Sequence, residues 1–324
     1  MTPWTDAAWL DEVCDWVRAR LTALGLTSTG PVEQPHVMPW STALRVPTDQ
    51  GPVWFKANAA GSLYEAPVAQ LLLQHRVPHV LQPLAVDTAR GWLLLPDGGP
   101  TLRTQERDIS VWEQVLPAYA ELQRATADVA DELVAAGAPD LRPARLPAVL
   151  DGLLADPEWL MLGQPDGITP ERLTAVRGLR GNYASWCAEL ADSAVPATLQ
   201  HDDLHDNNVL GSDGAWVFFD WSDACVAHPF GTLLVALRSA AHRRSLAADA
   251  PGVLRMRDAY LEAWTDLHDR RELLHLLRLA MRTAKVGRAL SWQSSLAHLP
   301  PEQRGEDAAA VGGWVDDLLE PDPF

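Results

Sequence analysis

Near the N-terminus, apolar residues fall three and four apart at Trp9, Val13, Trp16, Val17, Leu21 and Leu24. This spacing predicts an amphipathic helix within residues 3–25. Thr2-Pro3 or Thr5-Asp6 offers its start, and Gly25 its end. From about residue 31 to 58 the pattern turns extended. Runs around Leu44-Arg45-Val46 and Val53-Trp54-Phe55 flank Pro47-Thr48-Asp49-Gln50-Gly51-Pro52, which reads as a turn between strands. Helical spacing returns after Gly61-Ser62, through Val68, Leu71 and Leu72, to about His75, with Pro78 and Pro83 marking the exit. Two further strands are expected near Leu84-Ala85-Val86 and Trp92-Leu93-Leu94-Leu95. Pro96-Asp97-Gly98-Gly99-Pro100 then breaks the pattern, and a domain boundary is expected there, dividing residues 1–96 from 97–324.

Beyond that boundary the pattern is mainly helical. Ile109, Trp112, Val115, Leu116, Tyr119 and Leu122 form one stripe, with a kink expected at Pro117. Residues 137–168 are rich in Pro and Gly and hold shorter pieces. Thr169-Pro170 starts a helix whose buried face runs through Leu173, Val176, Leu179, Tyr183, Trp186 and Leu190. Val209-Leu210 and Trp216 to Phe219 read as short strands joined across Gly211-Ser212-Asp213-Gly214 into a hairpin. At least three helices are expected between Pro229 and the tail Pro321-Asp322-Pro323-Phe324. The expected fold class is therefore α+β: a small strand-rich lobe precedes a large helical one. A cleft between two such lobes is a natural nucleotide site.

Composition narrows the partners. The 324 residues are 47% hydrophobic, enough for a large core, and the formal net charge is −17. That charge argues against nucleic acid and anionic membrane surfaces, both polyanions, and is compatible with a cationic substrate. Cys14, Cys187 and Cys225 are scattered without CxxC spacing, which fits free thiols in a reducing compartment. No secretory pattern is visible at the start, and no apolar run reaches the ~18 residues that cross a bilayer. A soluble, cytoplasmic protein is expected. Only two of the 26 basic residues are Lys, and one of them, Lys56, ends the strand Val53-Trp54-Phe55-Lys56. A flexible point charge in a chain that otherwise uses Arg needs a reason.

The chemistry is densest at His201-Asp202-Asp203-Leu204-His205-Asp206-Asn207-Asn208, with Asp220 following after the hairpin. The hairpin would bring Asn208, at its entry, beside Asp220, at its exit. An amide oxygen and a carboxylate held together make a hard oxygen site suited to Mg²⁺. Asp203 would face whatever the metal presents, an arrangement that suggests phosphoryl transfer.

With these residues the chain resembles the aminoglycoside phosphotransferase family of small-molecule kinases, which share the protein-kinase fold. His201-x-Asp203-Leu204-His205-x-x-Asn208 is similar to that family's catalytic loop, and Phe219-Asp220-Trp221 to its metal-binding segment. Val53-Trp54-Phe55-Lys56 is similar to the Lys strand, and Glu65-Ala66 through Val77-Pro78 to the following helix and its exit. The resemblance extends from about residue 36 to 240. It implies ATP and Mg²⁺ as cofactors and Asp203 as the base that orients a substrate hydroxyl and takes its proton. It also implies Asn208 and Asp220 as metal ligands and Lys56, paired with Glu65, at the α- and β-phosphates. His205, where protein kinases carry Lys, either stabilises the transferring phosphoryl group or is structural. His201 is expected to anchor the loop. Asp202 and Asn207 depart from the Gly common in the family, and Asp202 is expected as a solvated side chain. Glu65 has a second reading, because Ser62-x-x-Glu65 is a capping box. No GxGxxG precedes Lys56, so Ser41 and Thr42 are the candidates for phosphate contact. Adenine would bond the backbone around Leu95 to Gly98, which places Asp97 at the nucleotide.

The expected function is an ATP- and Mg²⁺-dependent phosphotransferase acting on the hydroxyl of a small molecule. A protein kinase is disfavoured by the missing glycine loop, by His205 and by the lack of an APE-like segment. A metallophosphohydrolase would use His201, Asp202 and His205 with His75 or His79, and would leave Lys56 idle. A pseudokinase fits poorly, since every charged catalytic position is filled. Acceptor contacts are expected from the C-terminal helices, about 230–324. The acids Asp307, Asp316, Asp317, Glu320 and Asp322 there suit an amino sugar or aminocyclitol, with a neutral sugar, macrolide or metabolic alcohol as alternatives. The sequence does not set the oligomeric state.

Overall fold

Asp6 opens the first helix by accepting a hydrogen bond from the Trp9 amide at 3.0 Å. In the computed structural model, which describes residues 3–212 and 214–320, this helix is α1 (Ala7–Leu24). Gly25 closes it at φ 70°, a left-handed end that Gly adopts without strain. Asp213 of the expected turn and the tail from Pro321 lie outside the described residues. Three strands follow: β1 (Glu33–Val37), β2 (Ser41–Val46) and β3 (Val53–Asn58). Next come α2 (Glu65–Gln74), β4 (Ala85–Asp87) and β5 (Trp92–Pro96). The strands form one antiparallel sheet in the order β1-β2-β3-β5-β4.

Alternation along β3 decides where Lys56 points. Val53, Phe55 and Ala57 bury into the cluster shared with α1, where Trp16, Phe55 and Trp92 meet edge-on with centroids 5.4–5.8 Å apart. Successive side chains leave a strand on opposite faces, so Trp54 and Lys56 emerge on the α2 side. There Ala66 and Ala69 of α2 pack on Leu93 and Leu95 of β5.

After Pro96 the chain becomes mainly helical. Ile109 lies in a 3₁₀ turn ahead of α3 (Trp112–Ala125), which stays helical through Pro117. Then come α4 (Ala130–Ala135), β6 (Asp140–Leu141) and α5 (Leu146–Leu154). The single helix expected after Thr169 is two, α6 (Pro170–Gly178) and α7 (Arg180–Asp192). Gly178 and Gly181 weaken helix propensity at that junction. Next are β7 (Thr198–His201), β8 (Val209–Leu210), β9 (Val217–Phe218) and β10 (Ala224–Ala227). Four helices close the described chain: α8 (Leu233–Arg243), α9 (Pro251–Glu262), the 27-residue α10 (Arg270–Leu296) and α11 (Ala310–Asp316). β10 pairs antiparallel with β7 and parallel with β6, while β8 and β9 form the expected hairpin. The main core gathers Trp112 and Tyr119 of α3, Phe218 of the hairpin, and Leu276 and Met281 of α10. The architecture is the expected two-lobed α+β fold. Among the described residues no helix is long and apolar enough to cross a membrane. The second lysine, Lys285, is structural: its buried Nζ donates to the carbonyls of Asp317 and Glu320, tying α10 to the chain after α11.

Candidate active site

β7 delivers the acid-rich loop, and its last residue fixes the loop's start. The buried His201 ring donates from Nε2 to the Phe219 carbonyl at 3.0 Å, while Nδ1 accepts from the Asp203 amide at 3.3 Å. Burial holds the ring below the usual histidine range, which agrees with a neutral imidazole acting as donor on one side and acceptor on the other. The Asn208 side-chain amide donates to the Asp203 carbonyl at 2.9 Å. Across the hairpin Val209 pairs with Phe218, and the Phe219 amide reaches the Asn208 carbonyl at 3.4 Å. Asp220 follows at φ 65°, a left-handed conformation that Asp tolerates better than branched residues do. Asn208 and Asp220 thus stand at the entry and exit of one hairpin.

Lys56 crosses from the sheet to this hairpin. Its Nζ lies 2.7 Å from Asp220 Oδ1 and 2.7–2.8 Å from the two oxygens of Glu65. Burial would lower the ammonium's pKa, but the two carboxylates outweigh it and hold it above the usual lysine range. Burial would likewise raise Asp220; the Lys56 charge and hydrogen bond, with a 2.6 Å bond from Ser222 Oγ, hold it well below the usual carboxylate range instead. Glu65, deeper, is pushed up by burial and by Asp220, with Lys56 opposing. The capping-box reading of Glu65 is not realised: no side-chain cap opens α2, and Glu65 also takes bonds from Asn58 Nδ2 at 2.5 Å and the Trp221 amide at 2.9 Å.

Asp202 is the clearest correction. Expected in solvent, it is 2% exposed, with Gln200 Nε2 donating to Oδ1 at 2.7 Å and Oδ2 unpartnered. Burial pushes its carboxyl up to about 7 against the opposing charge of Arg288. Arg288, on α10, is a residue that sequence reasoning missed. One guanidinium nitrogen donates to the Asp202 carbonyl at 3.0 Å and another lies 3.2 Å from Asp203 Oδ1. Asp203 Oδ2 lies 3.2 Å from His205 Nε2. Burial would raise Asp203, but the His205 hydrogen bond and the Arg288 charge prevail and keep it below the usual carboxylate range. Asp223, held by Ser291 Oγ, completes a cluster of three acids around one guanidinium. Asp206 is also missed: it pairs with Arg103 and Arg243 at 2.8 and 2.9 Å and secures the loop's far end. The one available signal for Arg288 was a charge inside the apolar stripe of a long helix.

Between sheet and hairpin lies a cavity of about 310 Å³, bordered by Ser41, Thr42, Lys56, Asp97 and Asp220, with Trp54, Leu95 and Leu210 as apolar walls. Ser41 Oγ is 3.1 Å from His36 Nε2. Thr42 Oγ1 donates to the His36 carbonyl and accepts from Gln34 Nε2, so its hydroxyl is already engaged. Asp97 Oδ1 accepts from the Gly99 amide at 3.0 Å. A Cβ at Gly98 would come within 2.3 Å of Leu210 Cδ1, so the Leu210 side chain would have to move. The size and apolar walls suit a nucleotide.

The donor set fits a hard divalent cation. The Asn208 side-chain nitrogen is spent on Asp203, so the amide oxygen is the atom left for a metal, and Asp220 Oδ1 is spent on Lys56 and Ser222, which leaves Oδ2. Two protein oxygens suffice for Mg²⁺, which fills its remaining positions with phosphates and water. The hydrolase ligand set does not converge. His75 and His79 pair with Glu132 and Glu121, and no group of three or more His, Cys, Asp or Glu among the described residues is placed to hold a metal.

The acids expected to receive a cationic acceptor are also largely spent. Asp316 and Glu320 pair with Arg172, and Asp317 with Arg238 and Lys285. Asp322 lies outside the described residues. Asp202, Asp203 and Asp223 gather instead around Arg288.

Residues 44–274 match the family model of the phosphotransferase enzyme family. The chain belongs to this family. That membership makes the chain a small-molecule kinase. Comparison with curated proteins finds none that matches. Among solved structures, the GDP and kanamycin complex of APH(2")-IIia is similar at 13% identity and a TM-score of 0.60, covering 94% of this chain and 97% of that one. A choline/ethanolamine kinase family protein from Mesorhizobium loti is similar at 17% identity and a TM-score of 0.60, covering 96% of each chain. Amicoumacin kinase hAmiN, in complex with AMP-PNP, Ca²⁺ and Ami, is similar at 13% identity and a TM-score of 0.58, covering 96% and 98%. At these identities the likeness is one of fold.

Proposed function

We propose that this phosphotransferase moves the γ-phosphoryl group of ATP, with Mg²⁺, onto a hydroxyl of a small cationic molecule. The observation that carries the reading is the shared ammonium of Lys56, which joins Glu65 to Asp220 across the cavity. In this reading Lys56 holds the α- and β-phosphates, while Asn208 and Asp220 hold the metal, which neutralises charge on the phosphates. Asp203 accepts the proton of the acceptor hydroxyl, its low pKa keeping it ionised at neutral pH. His205, whose Nε2 lies 3.2 Å from Asp203 Oδ2, stabilises the phosphoryl group in transit in this reading. Ser41 and Thr42 border the phosphates and Asp97 the base. Residues 1–96 and 97–324 are taken as the two lobes.

Asp203 and Asp223 beside one guanidinium, with a formal net charge of −17, support an amine-bearing hydroxyl compound such as an amino sugar. The kanamycin and choline/ethanolamine kinase neighbours are in keeping with that class. All three cysteines are free, which suits a reducing cytoplasm. The test is Mg²⁺-dependent conversion of ATP to ADP across a panel of amino sugars, amino alcohols, neutral sugars and macrolides, with the product read by phosphorus NMR. A phosphate monoester formed only on amine-bearing members supports the reading. Turnover on none, with or without GTP in place of ATP, defeats it.

A further inference from the structure

We propose that Arg288 is the positioning residue of this site: through its guanidinium, α10 sets the rotamer of Asp203. The inference rests on Asp203 as the base. Beside the His205 ring at Oδ2, three anchors hold the Asp203 residue. His201 Nδ1 takes its amide, Asn208 Nδ2 donates to its carbonyl, and Arg288 Nη2 meets its carboxylate at 3.2 Å. The first two fix the backbone and leave the side chain free to rotate. Only the third acts on the carboxylate from outside the loop.

The geometry of the fork matters. Arg288 Nη1 donates to the carbonyl of Asp202, the residue before the base, while Nη2 reaches Oδ1 of the base itself. A planar guanidinium spanning a peptide oxygen and the neighbouring carboxylate fixes one relative to the other, which a single ammonium does not do. Oδ1 is thereby occupied on the buried side, and Oδ2 is left on the His205 side. During transfer the acceptor oxygen bonds to the γ-phosphorus. The bond from that phosphorus to the bridging oxygen breaks, with its electron pair leaving on ADP, and the acceptor proton passes to Asp203 Oδ2.

The surroundings are built for this contact. Arg288 lies among fully buried positions of α10, and Gly287 lets the helix approach the loop: a Cβ there would meet Leu141 Cδ1 at 3.2 Å and Asp202 Oδ2 at 3.6 Å. A buried charge is retained at considerable desolvation cost, and an apolar side chain of similar volume would pack there more cheaply. Asp202 and Asp223 add the negative charge that keeps Arg288 protonated.

The experiment needs no knowledge of the acceptor, because water serves: phosphate release from Mg·ATP is followed against ATP concentration for the wild type, Arg288→Lys, Arg288→Met and the double variant Arg288→Met/Asp202→Asn. The double variant removes a buried carboxylate together with the guanidinium and so guards against unfolding. Expected is a kcat about 10–100-fold lower in all three variants, with KM for ATP within about twofold. Arg288→Lys keeps the charge but loses the fork, so it should lose kcat as the Met variants do. A folded Arg288→Met or Arg288→Lys variant with wild-type kcat overturns the proposal. So does a loss of kcat matched by an equal loss of ATP affinity, or failure of every variant to fold, since either places Arg288 in the scaffold alone. A wild type that releases no phosphate and phosphorylates no acceptor defeats the kinase reading instead.

Discussion

Lys56 Nζ and Asp220 Oδ1 lie 2.7 Å apart although 164 positions separate them in sequence. The contact joins the third strand of the sheet to the exit of the β8–β9 hairpin, and Glu65 of α2 shares the same ammonium. One cation therefore ties three elements to the cavity. It also settles which oxygen of Asp220 is free, since Oδ1 serves Lys56 and Ser222.

Removing that cation should do two separable things. Lys56→Ala leaves Glu65 buried without its counter-ion, so stability should fall by about 3 kcal/mol, read by urea unfolding without nucleotide. It should also lower kcat/KM for ATP by about 10²–10³-fold, because the phosphates lose a charge-assisted partner. Full kcat/KM in a folded Lys56→Ala protein would remove Lys56 from nucleotide binding.

Asp203→Asn keeps the size of the side chain and much of its bonding while removing its capacity to take a proton. Turnover should drop by about 10²–10⁴-fold, with ATP affinity by calorimetry unchanged. An unaltered turnover number would show that the acceptor proton goes elsewhere.

Asn208→Ala takes away the amide oxygen offered to the metal and the bond to the Asp203 carbonyl. The Mg²⁺ concentration for half-maximal activity should rise at least about tenfold, and saturating Mg²⁺ should restore only part of kcat, because the loop remains loosened. Complete restoration at high Mg²⁺ would mean that the Asn208–Asp203 bond is idle in turnover.

What the chain disclosed in advance was local. The extended run Val53-Trp54-Phe55-Lys56 put Lys56 on a strand, and two short apolar runs around a glycine turn gave the hairpin that unites Asn208 with Asp220. What it withheld depends on contacts across long sequence separations. Nothing near Asp202 announces burial, because the polar neighbours Asp203 and His205 suggest solvent; its burial follows from α10 approaching at Gly287, 85 positions later. The acids at 316, 317 and 320 looked free for a substrate until Arg172, Arg238 and Lys285 arrived from other helices. The helix after Thr169 kept its apolar period across a break at Leu179, since period alone does not register two glycines.

The buried Asp202 gives a pH-dependent prediction whose sign is fixed. Its carboxyl is pushed up to about 7 in the folded protein, against an ordinary value of 3.8. Below pH ~4 both folded and unfolded chains carry the proton, and the group contributes no difference. Between ~4 and ~7 the folded chain binds more protons than the unfolded one, so stability falls as pH rises, and above ~7 the full penalty applies. Asp202→Asn removes the charge while keeping an oxygen for Gln200 Nε2, the donor that now serves Oδ1. The variant should therefore be more stable than the wild type at pH 8.5, by on the order of 2–4 kcal/mol, and the gap should close towards pH 5. Paired urea titrations at the two pH values measure it. A gap of the same size at both pH values would mean that the wild-type carboxylate is ionised throughout and held by Arg288 as a true ion pair.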